Sequence, residues 1–236
     1  MLSFATADSF NVEVSGLLRW KATWRRTHMS ETKYKLTYFD IPGGRAETTR
    51  LAFTLGGIDF EDRRVPFSEW PKVREEAPFN ACPFLEFEDR IVGQSNAIAR
   101  YVGRLVGLYP EDPLQALLCD ELLDAVEEMW MRIGPTMMIK DPEELKKARE
   151  EMANGPYTRF LQQFEQRLER AGGEYFCDGR LTLADLQVLT ICRALCSGNF
   201  DHIPVDLVSK VAPGVASHMQ RMLESPAVKE YYARYQ

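Results

Sequence analysis

Tyr38 closes a β-forming run, Tyr34-Lys-Leu-Thr-Tyr-Phe39, and is followed by a breaker cluster, Pro42-Gly43-Gly44, and then Arg45. A phenol can donate a hydrogen bond to an anion. A strand tyrosine taken alone is by default part of a core. Gln94-Ser95 sit where a short apolar run gives way to a helical pattern. Unpaired N–H groups and the positive end of a helix at such a place can hold a carboxylate, and Ser95 also reads as an N-cap worth about 1 kcal/mol. Asp120, Asp124, Glu127 and Glu128 recur at spacings of three and four, which by itself reads as the solvated acidic face of a helix. Metal chemistry finds little support. The three His have no ligand spacing, and the five Cys (82, 119, 177, 192 and 196) are irregularly placed without a CxxC pair. Reduced thiols of an intracellular protein fit that pattern better than a disulfide frame or a zinc site.

The elements that must position these residues divide the chain near Pro110. Tyr34–Phe39 and Phe60–Val65 read as strands, and 45–55 reads as a helix closed by Gly56-Gly57. A polar helix or loop surrounds Trp70. Phe84–Phe87 and Ile91-Val92 form a hairpin turning at Asp89-Arg90, and a helix with Ala97, Ile98, Tyr101, Val102 and Leu105 as its buried stripe begins at Ser95. The order β-α-β-α-β-β-α predicts a mixed four-stranded sheet covered by helices. Beyond the linker 108–113 only helical periodicity remains, over 114–138, 142–154, 157–171 and 183–195, with shorter stretches at 213–222 and 227–235. Three segments follow: an N-terminal extension 1–32, an α+β domain 33–109 and an all-α domain 110–236.

The net charge of −6 comes with no long Lys/Arg block, so a nucleic-acid backbone is not an expected partner. No apolar run approaches the roughly 20 residues of a membrane span. Residues 1–28 carry Arg19, Lys21, Arg25 and Arg26 beside Leu17, Leu18, Trp20 and Trp24. That is a basic amphipathic pattern of the transit-peptide kind, interrupted by Asp8 and Glu13. Met29-Ser-Glu-Thr also reads as an ordinary start. A cytoplasmic protein is the first reading, and organelle targeting through 1–28 is the alternative.

Three blocks stand in order: Tyr34-Lys-Leu-Thr-Tyr-Phe-Asp with Gly-Gly-Arg-Ala-Glu47, Pro78-Phe79 with Pro83-Phe-Leu-Glu86, and Gln94-Ser95-Asn-Ala-Ile-Ala-Arg-Tyr101. On these the chain from Tyr34 onward resembles the cytosolic glutathione transferases, most closely the sigma-like branch, whose members include prostaglandin D isomerases. The resemblance implies a thioredoxin-like N-terminal domain, an all-α C-terminal domain and a homodimer. Glutathione would be the co-substrate, small electrophiles the second substrate, and no metal would be needed. Tyr38 matches the catalytic tyrosine. A free thiol near pKa 8.5 is only a few per cent thiolate at pH 7, and a donated hydrogen bond favours the charged form; about two units of lowering need roughly 2.7 kcal/mol.

Residue by residue, the resemblance assigns glutathione contacts to Arg45, to Trp70 and Arg74 at the glycine carboxylate, and to the backbone of Cys82 before a cis Pro83. It assigns Gln94 and Ser95 to the γ-glutamyl carboxylate. An acid of the first C-terminal helix, Glu128 by spacing and Asp124 next, would reach the partner subunit's glutathione. Phe79 would dock into the neighbouring subunit, and Thr182 with Asp185 would form a capping box. Met131, Ile133, Met137 and Met138 read either as an adaptable electrophile pocket or as core. The sequence departs from the family at Asn80-Ala81-Cys82, where a side-chain contact from position 81 is lost, and by one extra residue in Ile41-Pro42-Gly43-Gly44. The rival readings are a glutathione-dependent isomerase of the prostaglandin D type, a non-catalytic binding protein on the same fold, and a Cys-based thiol transferase. The last lacks a Cys where Tyr38 stands.

Overall fold

The computed structural model describes residues 32–234, and the reading of 1–28 lies outside them. Strands β1 (Tyr34–Phe39), β2 (Phe60–Val65), β3 (Phe84–Phe87) and β4 (Arg90–Gly93) form one sheet in the order β2-β1-β3-β4. β1 runs parallel to β2 and antiparallel to β3, and β4 is antiparallel to β3. The β3–β4 turn is Glu88-Asp89 rather than Asp89-Arg90, because Arg90 already pairs with Phe87 and Glu88 takes the left-handed conformation, φ 52°.

Two faces of the sheet are covered by different means. Tyr34, Leu36 and Tyr38 alternate onto the side of helices α1 (Glu47–Leu55) and α3 (Ser95–Val106), where they join Leu51, Phe53 and Ile98 in the main core. On the other face Val65 and Phe84 pack with Val73 and Ala77, around the single-turn helix α2 (Trp70–Val73). Arg50 is the largest fully buried side chain. Its guanidinium is kept at that depth by Asp62 at 2.9 Å and Glu47 at 3.4 Å, as a buried cation requires.

From Pro113 the described chain is helical: α4 (Pro113–Ile133), α5 (Pro142–Met152), α6 (Thr158–Arg170), α7 (Leu183–Cys196), α8 (Leu207–Val211), α9 (Pro213–Glu224) and α10 (Pro226–Ala233). Asp112 caps α4 by accepting from the amides of Leu114 and Gln115. The periodicity up to Met138 overran the helix. Gly134-Pro135 ends α4 and a 3₁₀ segment, Gly134–Met138, takes over. Five-residue α8 was not legible as a helix, since so short a stretch shows no period.

The centre of the helical half is α7, whose residues from Leu183 to Cys192 are all buried. Its capping box is formed by Thr182 and Asp185. The Asp185 carboxylate accepts from the Thr182 amide (2.8 Å), the Thr182 hydroxyl (2.9 Å) and the Phe176 amide (3.1 Å), and lies 3.0 Å from His218 Nε2. Four groups from a loop and two helices thus converge on one buried acid. The halves are joined by Thr48 Oγ1, which donates to Gln187 Oε1 at 2.5 Å, and by the Leu183 amide, which donates to the Leu108 carbonyl at 2.8 Å. Asp185→Ala leaves those donors buried without an acceptor. It is expected to cost roughly 3–5 kcal/mol, read as a lowered midpoint in urea unfolding, with Asp206→Ala on the exposed surface close to wild type as the control.

Candidate active site

The sheet register brings the candidate residues to one edge. Thr37 of β1 faces Phe84 of β3, which faces Gly93 of β4. Just past that row lie Tyr38 after Thr37, Pro83 before Phe84 and Gln94 after Gly93, so the three motifs meet at one edge. The Cys82–Pro83 peptide is cis. Gln94 holds φ 72° and ψ 104° as the residue before α3, a conformation that costs a non-glycine residue of order 1–3 kcal/mol and collects at functional sites. Ser95 is the first helical residue rather than the cap, and its hydroxyl points to Glu127 Oε2 at 3.5 Å.

Tyr38 is only 5% exposed. Its oxygen accepts from the Arg45 amide at 3.2 Å, which leaves its O–H proton to be donated elsewhere. Burial raises the Tyr38 pKa, opposed by the Arg45 amide hydrogen bond and by the charges of Arg45 and Arg50. The phenol therefore keeps its proton at neutral pH. The approach depends on Gly44. A Cβ there would lie 2.8 Å from both the Tyr38 oxygen and Cε1, and Gly44 sits at φ +78°.

The Arg45 side chain turns away to the helical half, where Nε meets both oxygens of Glu127 at 2.8 and 3.1 Å. Glu127 was passed over in favour of Glu128 and Asp124, although the spacing carries the signal. Asp120, Asp124 and Glu127 lie at i, i+4 and i+7, one helical stripe, with Glu128 about 80° round from Asp120 at roughly 100° per residue. The stripe faces α3: Arg100 Nε meets Asp120 at 2.6 Å, and Asp124 Oδ1 meets Arg100 Nη2 at 3.0 Å and Asn96 Nδ2 at 2.9 Å. Glu128 is exposed and pairs with Arg132 one turn on.

Trp70 is half-buried, edge-on to Phe39 with ring centroids 5.2 Å apart, and so stands next to the end of β1. Arg74, one turn later, is exposed and has no carboxylate partner among the described residues. Cys82 is partly buried, and burial pushes its thiol up to about 12, so it is a poor nucleophile. Phe79 is 77% exposed. Of the apolar stripe, Ile133 is core while Met131, Met137 and Met138 are exposed. The lengthened loop at Ile41–Gly43 walls a cavity of about 420 Å³ with Glu47, Arg193 and Tyr232. Among the described residues no group of side chains could hold a metal ion, and no helix is long and apolar enough to cross a membrane.

Residues 34–104 match the family description "Glutathione S-transferase, N-terminal domain", and residues 127–234 match "Glutathione S-transferase, C-terminal domain". Glutathione S-transferase 1 of Ascaris suum is 33% identical over 159 residues, 66% of this chain and 77% of that protein. This chain belongs to the glutathione S-transferase family. It is a glutathione transferase enzyme with a four-stranded thioredoxin-like half and a helical half. Hematopoietic prostaglandin D synthase of Gallus gallus is 42% identical over a shorter stretch of 98 residues, 42% of this chain and 49% of that one. The solved structure of prostaglandin synthase D of Nilaparvata lugens superposes with a TM-score of 0.77 at 25% identity, over 86% of this chain and 98% of that one.

The two glycines before Arg45 separate strain from site geometry. Gly43→Ala, at φ +74° with nothing within 4 Å of the new Cβ, should cost about 1–2 kcal/mol of stability and leave turnover near wild type. Gly44→Ala carries the same backbone strain but also displaces the Tyr38 hydroxyl, so turnover of the transferase should fall by roughly tenfold or more, about 1.4 kcal/mol in the barrier. Steady-state kinetics beside urea unfolding for both variants checks this.

Proposed function

We propose that Tyr38 donates its phenolic proton to the sulfur of bound glutathione, holding it as a thiolate that attacks small electrophiles and so detoxifies them. The observation that carries this reading is the protonated, buried phenol whose oxygen is satisfied by the Arg45 amide and whose O–H is left to donate at the edge where the sheet motifs end. A hydrogen bond given to a sulfur anion lowers the pKa of the thiol. In the step itself the thiolate electron pair forms a C–S bond, the bond to the leaving group breaks, and that group departs with its electrons.

The remaining candidates supply binding. Gln94 and Ser95 would receive the γ-glutamyl carboxylate at the positive end of α3. Trp70 through its indole N–H and Arg74 through its free cation would hold the glycine carboxylate. Cys82 would offer its backbone, before the cis Pro83, as a neighbouring strand does, and Arg45 would act from within its pair with Glu127. Exposed Met131, Met137 and Met138 offer soft apolar surface for varied electrophiles. We further propose a homodimer, with exposed Phe79 seated in the partner. Of the two acids considered for the partner's glutathione, Glu128 pairs, among the described residues, only with exposed Arg132 of its own helix, whereas Asp124 is held by Arg100 and Asn96 of α3, which supports Glu128 as the first choice.

A glutathione-dependent isomerase of the prostaglandin D type is the second reading, favoured by the 42% identity to the avian synthase. It ranks below conjugation because that match spans about half of either chain.

Conjugation of glutathione to a chloronitrobenzene, which releases chloride, tests the first reading. Tyr38→Phe is expected to lower kcat/KM by about 10²–10³-fold, or roughly 2.7–4 kcal/mol, and to return the bound thiol from about two units below its ordinary pKa to near 8.5, followed by thiolate absorbance against pH. An unchanged thiol pKa in Tyr38→Phe would remove the tyrosine from the mechanism. For the dimer contact, Glu128→Ala should weaken glutathione binding several-fold, about 1 kcal/mol, while Asp124→Ala leaves it near wild type; calorimetric titration of both variants decides.

A further inference from the structure

The cavity of about 420 Å³ between the loop 40–43 and helix α10 carries polar groups that the protein leaves unmatched. Four charged side chains stand on its wall: Asp40, Glu47, Arg64 and Arg193. Three of them have partners of opposite charge. Glu47 meets Arg50 at 3.4 Å, and Arg64 meets Asp62 at 2.8 Å and Asp40 at 3.9 Å. Arg193, in the last turn of α7, has no carboxylate partner among the described residues. Its guanidinium instead lies over the Tyr232 ring, 3.6 Å from the centroid.

Tyr232 supplies the other unmatched group. The residue is 9% exposed. Its hydroxyl oxygen is buried, with Arg193 and Glu47 near it but outside hydrogen-bond geometry. Burial raises the Tyr232 pKa, so the O–H remains a donor at neutral pH. A buried polar group without a partner is costly. A guanidinium stacked on a ring keeps its N–H edge for a planar acceptor with two oxygens. Ile41, Pro42 and Tyr231 add apolar wall, and the volume is that of a small-molecule site.

We propose that this cavity binds a small organic carboxylate, its anionic end gripped by the Arg193 guanidinium and the Tyr232 hydroxyl and its apolar body lying against Ile41, Pro42 and Tyr231. Both unmatched groups are donors, which calls for an acceptor. The nearby acids Glu47, Asp62 and Asp40 are engaged by Arg50 and Arg64, so none of them fills that role. Tyr38 is not on the wall, but Gly43 is, and the next residue, Gly44, abuts the Tyr38 oxygen. The site thus adjoins the transferase centre without sharing its phenol. Its carboxylate can come from the acid end of an electrophile or from a ligand that is not a substrate.

The test is calorimetric titration of the full chain with phenylacetate and with neutral phenylacetamide, which has the same shape. Glutathione is kept saturating throughout, because it carries carboxylates of its own. Phenylacetate is expected to bind, and phenylacetamide to bind about tenfold more weakly or worse. Arg193→Gln should remove that preference. Arg193→Lys should weaken phenylacetate several-fold, since the fork and the stack are lost, and Tyr232→Phe should do so with the stack kept. Urea midpoints near wild type identify the variants whose losses are local. Conjugation of a chloronitrobenzene in the presence of phenylacetate separates the two sources: a raised KM for the electrophile marks the acid end of a substrate, and an unchanged KM marks a separate ligand. The proposal is overturned if wild type binds the two probes alike or binds neither. It is equally overturned if folded Arg193→Lys and Tyr232→Phe bind phenylacetate as wild type does, or if binding is lost in Arg64→Gln and kept in Arg193→Gln.

Discussion

The amide of Arg45 donates to the Tyr38 oxygen, and its guanidinium, on the same residue, grips Glu127 in the helical half. The orientation of the phenol and the seating of the two halves are therefore coupled through a single position. The amide contact makes the oxygen an acceptor and does not use its O–H proton. The side-chain contact brings α4 against the first turn of α3, where Ser95 reaches the same carboxylate. Since Arg45 and Glu127 are each about a quarter exposed, 28% and 27%, the pair contributes little to stability, on the order of 0–1 kcal/mol. Its value is geometric.

What lets Arg45 do this is a close approach and a deep anchor. Gly44 brings the chain against the tyrosine ring where no Cβ fits, and Arg50, one turn further along α1, lies under the other side with its guanidinium 5.7 Å from the ring centroid. That buried cation is tolerated because Asp62 and Glu47 reach it. It also favours electron density on the phenol, while burial keeps the proton in place. The opposing influences leave a neutral phenol between two arginines that are each paired with carboxylates. Further off, Asp185 plays the same organising part for the helical half, gathering Thr182, Phe176 and His218 around the start of α7.

Much of this was readable from residue order alone. The β-α-β-α-β-β-α succession follows from period and breakers, because each element is short, strongly patterned and ended by Gly, Pro or a polar turn. The capping box was legible because it is local, spanning Thr182 to Asp185. Tyr38, Arg45, Gln94 and Ser95 could be singled out as candidates through family-like motifs, and the sheet register brings Tyr38 and Gln94 to one edge. Errors came where a local pattern met a competing constraint. Helical periodicity ran on to Met138, but Gly134-Pro135 broke the hydrogen-bond ladder. The cap role given to Ser95 gave way to a contact with Glu127 from a helix 32 positions away.

The sequence by itself determined the elements, their order and the presence of a phenol, an arginine and a strand-to-helix turn in the right succession, since each is written in local spacing. Tertiary structure decided which of the five acids on α4 meets Arg45, because rotation about the helix axis selects Glu127 and turns Glu128 outward. It also decided that Met131 and Met138 are surface while Ile133 is core, and that Thr48 and Gln187, distant in sequence, share a hydrogen bond. The physical reason is common to all three. A side chain's direction in space depends on how one helix is rolled and packed against another, and spacing along the chain carries that only when the partner element is already known.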